Sequence, residues 1–178
     1  MRLNGSINGT AIPSNVTYLS LGVNQLKGSI PSQWPMGLTF INLGTNQLSG
    51  SIPLTFPTEL TELYLDQNEL TGNVPSVLPT SLVNFHIYRN QLSGDLPSFP
   101  SAIQQLLLGI TAFSGNNGNQ FTGSLQLNKP RQLLINDNWI SDVFIQDTSA
   151  LTKCDQPQYC QPHNVHKRWT VQCELFTK

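Results

Sequence analysis

The side chains in this chain able to do chemistry fall in two groups. His86 follows Tyr64 by 22 residues and Asp66 by 20, and Glu62, Tyr88 and Arg89 lie in the same periodic frame. A histidine beside a carboxylate and a phenol has the make-up of a general acid–base set. No nucleophile elbow, phosphate loop or metalloprotease helix accompanies it, and an open surface offers no water-excluded pocket. No catalytic residue is therefore assigned, and the chain is not expected to be an enzyme. The second group is the tail, with Cys154, Cys160, His163, His166 and Cys173. Zinc needs four ligands in a tetrahedron, and Cys160-x-x-His163 is an acceptable pair, but the spacing matches no strong signature. No metal or cofactor is expected. A disulfide fits the tail better in an oxidising compartment; three cysteines leave one over, and the pairing stays open.

The elements that carry the first group repeat. Asn24, Asn46, Asn68 and Asn90 stand one 22-residue unit apart, followed by Asn119 and Asn138. Each of the first five opens nearly the same phrase: NQLKGSIP, NQLSGSIP, NELTGNVP, NQLSGDLP and NQFTGSL. Apolar residues precede each asparagine by eight, five and three positions, as Leu38, Ile41 and Leu43 precede Asn46. Each unit has one apolar edge that only a neighbour can cover, so the units must stack. Within one unit, alternation around Ile41 and Leu43 predicts a short strand, with Phe40, Asn42 and Gly44 facing out. Asn46 is placed where the chain turns away, its amide serving buried backbone groups. Pro13, Pro35, Pro57, Pro79 and Pro100 lie three residues before the first apolar strand position, which predicts extended or short 3₁₀ segments and little or no α-helix on that side.

Stacking puts the outward positions in columns. One runs Tyr18, Phe40, Glu62, Asn84, Gln105, Gln132; the next Ser20, Asn42, Tyr64, His86, Leu107, Leu134; a third Gly22, Gly44, Asp66, Tyr88, Gly109, Asn136. Aromatic anchors beside arginine and carboxylates are the usual composition of an interface hot spot. Phe40, Glu62, Tyr64, Asp66, His86, Tyr88 and Arg89 are accordingly the expected ligand-binding residues.

Charged residues make up 11% of the 178 and the net charge is −1, so no electrostatic footprint for nucleic acid is present. No apolar stretch approaches the ~20 residues that span a bilayer, and the first residues lack the apolar run of a secretory signal. Asn4, Asn8 and Asn15 head Asn-x-Ser/Thr sequons, but about as many arise by chance in a chain so rich in these residues.

The phrase L-x-x-L-x-L-x-x-N-x-L-x-G-x-I-P resembles that of the plant-type leucine-rich-repeat family, and residues 60–75, LTELYLDQNELTGNVP, match it with Val74 in place of Ile. Members include receptor-kinase ectodomains, secreted inhibitors of pectin-degrading enzymes, and fungal or protist surface proteins. The resemblance implies a right-handed solenoid of the α/β type over residues 1–154, six to seven coils with a parallel sheet on the concave side, followed by an irregular cap or tail over 155–178. It further implies non-catalytic recognition of a protein, peptide or carbohydrate on the concave sheet, at a cell surface or outside the cell. The alternatives are a secreted hydrolase inhibitor and a structural wall or adhesive repeat. The chain departs from the receptors in lacking their cysteine-and-tryptophan cap: Leu3-Asn4-Gly5-Ser6-Ile7 enters mid-coil, matching Leu26–Ile30. The edge so exposed implies either a longer natural product or self-association through the first coil. An insertion after Leu108, from Gly109 to Gly118, is expected as a surface loop.

Overall fold

The computed structural model describes residues 2–109, 118–135, 138–145 and 172–174. Its strands, numbered β1 to β15 in chain order, belong to coils stacked in parallel. The larger sheet holds β2 (Tyr18–Ser20), β4 (Phe40–Asn42), β6 (Glu62–Tyr64), β8 (Asn84–His86), β10 (Gln105–Leu107) and β13 (Gln132–Leu134), each beside the next. Strand β15 (Gln172–Glu174) closes that sheet, pairing antiparallel with β13. Register follows the repeat: Tyr18 faces Phe40, Phe40 faces Glu62, Glu62 faces Asn84 and Asn84 faces Gln105.

The sequence pattern explains the interior. Ile41, Leu43, Leu63, Leu65, Phe85 and Ile87 have no exposed surface, whereas Leu19 and Leu21 in the first coil are only half-buried. The difference is one of neighbours. A middle coil is covered on both sides, and the first on one. Leu→Ala at a middle position is worth about 2–5 kcal/mol.

The asparagines hold the coils together where the chain leaves the sheet. Asn68 Nδ2 donates to the carbonyls of Leu65 at 3.1 Å and of Leu43, one coil back, at 3.0 Å. Its Oδ1 accepts the backbone N–H of Leu48, also one coil back, at 3.0 Å. Asn46 and Asn90 repeat the set. A side chain that both donates and accepts is what a buried turn needs, because backbone groups facing the interior have no water to bond.

On the far side, Leu38, Leu60, Leu82 and Ile103 each donate their N–H to the carbonyl of the proline three residues earlier. Proline fixes the turn without offering a donor, so no α-helix forms there among the described residues. The 3₁₀ helix described spans Gly9–Ala11.

One element differs from expectation. The residues after Asn24, Asn46, Asn68, Asn90 and Asn119, for which the pattern predicts no strand, join Asn4–Gly5 in a second parallel sheet of β1 (Asn4–Gly5), β3 (Gln25–Gly28), β5 (Gln47–Gly50), β7 (Glu69–Gly72), β9 (Gln91–Asp95) and β11 (Gln120–Thr122). Its leucines alternate with polar residues, so the period of two was present, but only one apolar position per strand carries it. Its register is staggered: Lys27 faces Gln47, and Ser49 faces Glu69. Strands β1, β3, β5 and β7 end on a glycine at positive φ, as at Gly50 (79°), a conformation that a β-carbon disfavours; Gly94 lies within β9 and Gly123 just after β11. A short pair, β12 (Ser124–Leu127) with β14 (Asp142–Ile145), follows.

Candidate ligand-binding face

The first sheet brings the expected side chains to one surface. Phe40 lies on β4, Glu62 and Tyr64 on β6, and His86 on β8; Asp66, Tyr88 and Arg89 follow β6 and β8 directly. Their rings form a row across the strands. Tyr18 stacks on Phe40 at 4.0 Å, Phe40 meets Tyr64 at 5.4 Å, and Tyr64 and His86 stand perpendicular at 4.6 Å, with Tyr88 6.5 Å from His86. Tyr18, 62% exposed, begins the row but was not among the expected site residues. The signal was available, since Tyr18 heads the same column as Phe40.

The charged groups are threaded between the rings. Glu62 accepts a short hydrogen bond from the Tyr64 hydroxyl, and Asn84 Nδ2 donates to the same carboxylate at 3.2 Å. Asp66 is only 8% exposed; it accepts from Gln67 Nε2 at 3.3 Å and from the Tyr88 hydroxyl. Gly44 makes room for it: a β-carbon there would lie 2.9 Å from Asp66 Oδ1. Arg89 Nη1 donates to Gln67 Oε1 at 3.4 Å. Of the polar partners, Asn84 and Gln105 stood in the outward column of Phe40 and Glu62 but were not singled out, and Gln67 was missed because an amide beside a candidate residue carries no pattern of its own.

Burial sets the protonation states. It pushes the Tyr64 phenol up to about 12, with the Glu62 hydrogen bond and charge adding to the effect. Tyr88 is raised chiefly by burial, then by the charge of Asp66. His86 is lowered by burial, which outweighs the attraction of Asp66 and the contact of its Nε2 with Gln105 Oε1 at 3.3 Å. At neutral pH both phenols are protonated and the imidazole is uncharged. The face thus presents rings, two carboxylates and one guanidinium.

Several of the outward positions are buried: Leu107 and Leu134 in the His86 column, and Gly44, Asp66 and Gly109 in the third. The insertion over 110–117 and the tail bearing Cys154, Cys160, His163 and His166 lie outside the described residues, and of Cys173 only the backbone of β15 is described. No group of histidine, cysteine or acidic side chains suited to a metal occurs among the described residues. No described helix is long and apolar enough to cross a membrane.

Parallel coils, an asparagine ladder and a ring-lined sheet give this chain a leucine-rich-repeat solenoid fold, similar to that of plant receptor-kinase ectodomains. The Leucine Rich Repeat family profile matches residues 59–80. Among solved structures, the ectodomain of the membrane receptor kinase GASSHO1/SCHENGEN3 from Arabidopsis thaliana, in complex with CASPARIAN STRIP INTEGRITY FACTOR 2, is similar at 25% identity and TM-score 0.63, over 80% of this chain and 20% of that one. A plant ice-binding protein is similar at 25% identity and TM-score 0.54, over 81% and 54%. The plant peptide hormone receptor RGFR1, in complex with RGF2, shares the fold at 24% identity and TM-score 0.52, over 79% and 27%. The chain thus spans from a fifth to about half of these neighbours' lengths. No curated protein sequence matches it.

Proposed function

We propose that the chain is a non-catalytic binding module in an extracellular or cell-surface setting, and that its concave sheet takes a peptide or an extended protein segment. The observation that carries this reading is the row of rings from Tyr18 to Tyr88, placed on outward positions that core packing does not dictate. Rigid aromatic side chains give large contact area for little lost rotamer freedom, and a row of them running across parallel strands suits a ligand lying along the solenoid. The receptor ectodomain with its bound partner supports the same reading. The second sheet offers less: its exposed positions change from Lys27 to Ser49 to Thr71, and its stagger carries equivalent residues away from one another. That stagger disfavours the lattice match a crystalline surface such as ice would require, despite the likeness to a plant ice-binding protein.

The test is panning of a displayed library of random peptides against the full chain. Peptides that enrich should lose at least roughly tenfold in affinity against a Tyr64→Ala, Tyr88→Ala double variant, which removes two central anchors from a surface and leaves the core intact. Enriched peptides indifferent to that double variant would move the site elsewhere.

A further inference from the structure

The two carboxylates of the concave face share an arrangement that says what charge the ligand carries. Glu62 and Tyr64 point to the same side of β6, and Asp66 follows two residues beyond its end, largely buried, so that Tyr64 lies between the two acids in the chain. Their α-carbons are roughly 13 Å apart for an extended chain, which leaves room for one flexible cationic side chain above the ring. Phe40 leans in from the preceding coil at 44° to Tyr64, and the His86 ring stands perpendicular to that of Tyr64 from the following one.

The partners of both acids are neutral. Glu62 has Tyr64 and Asn84; Asp66 has Gln67 and Tyr88. Arg89 turns its guanidinium to the Gln67 amide. Burial keeps His86 uncharged at neutral pH, so it supplies no compensating cation. The negative faces of Phe40 and Tyr64 add to the field of the acids, and aromatic faces beside carboxylates are the combination that attracts ammonium and guanidinium groups. A carboxylate-bearing ligand would meet repulsion at the same place.

We infer that the occupant is a basic peptide segment, lying across β4, β6 and β8 with a Lys or Arg side chain over Tyr64, between Glu62 and Asp66. The inference rests on the reading of the concave sheet as a peptide site, and it names the chemistry of that ligand. Specificity comes from charge and ring together: the rings would accept many apolar segments, and the acids select among them.

The same panning experiment tests it through a different readout. Peptides whose binding depends on Tyr64 and Tyr88 should carry Lys or Arg above the frequency in the starting library. The best of them, synthesised with citrulline for Arg or norleucine for Lys, should bind about tenfold more weakly, and Glu62→Gln should weaken the parent peptide by about fivefold while barely affecting the neutral analogue. Glutamine keeps an acceptor for Tyr64 and Asn84, so the fold is not at stake; circular dichroism of the variant checks this. Raising salt from 50 to 500 mM should weaken the parent peptide and spare the analogue. Ring-dependent binders without basic enrichment, or a Glu62→Gln variant that binds unchanged, would overturn the inference and leave the peptide site standing. An absence of any ring-dependent binder would overturn both.

Discussion

Asn68 shows how one side chain can be required at a fixed interval. It closes four backbone groups drawn from two coils, and it does so largely buried. Asn68→Ala should therefore destabilise the chain by about 2–4 kcal/mol, read as a fall in the urea midpoint, because the Leu48 N–H and the Leu43 carbonyl lose their partner. Asn68→Asp should cost at least as much, since its carboxylate still accepts from Leu48 but turns an oxygen, with no proton to donate, on the carbonyls of Leu43 and Leu65. The residue before each asparagine tells the opposite story. Val23, Thr45, Gln67 and Arg89 adopt positive φ between 53° and 58°, a region that β-branched residues rarely visit. No residue type marks that position, so nothing in the sequence revealed it. The conformation is imposed from outside, by N–H donation to the next coil, as from Thr45 to Asp66 at 2.8 Å.

Among elements, the strands of the first sheet were legible because two apolar positions flank each outward residue, and the register then placed Phe40, Tyr64 and His86 as the columns required. The second sheet was not legible, since a single buried leucine between polar residues reads as a turn. The arrangement of β6 and β8 has a measurable consequence through His86. Its folded pKa lies below the usual 6.5, so the unfolded chain takes up the proton first. Stability contributed by the uncharged, buried ring is full above pH 6.5, falls as pH drops below it, and levels off below the folded value. Urea midpoints taken from pH 7.5 to 5 should decline, and His86→Gln should flatten that part of the decline; an identical slope in the variant would show that other groups cause it.

Across the whole molecule, stability is shared between neighbours and is therefore uneven. Coils with a partner on each side bury Leu63, Leu65, Phe85 and Ile87 fully, whereas the first coil leaves Leu3 55% exposed and Leu19 and Leu21 half-covered. In native-state hydrogen exchange the amide of Leu65 should be slower than that of Leu21 by roughly tenfold or more, because a terminal repeat opens without disturbing the middle. Equal protection would mean that the stack unfolds only as one body.

The spacing of the asparagine bonds has one more implication. Asn90 reaches Leu70 across 20 residues, yet Asn119 makes the same bond to Leu92 across 27. Eight surplus residues are thus spliced in after β10, and one is missing before it, without breaking the ladder on either flank. The junction between strand and asparagine is the place where such a chain can gain or shed length, at the rim of the ring-lined face, while the ruler beneath keeps its count. A designer wishing to graft a recognition loop beside that face would start there.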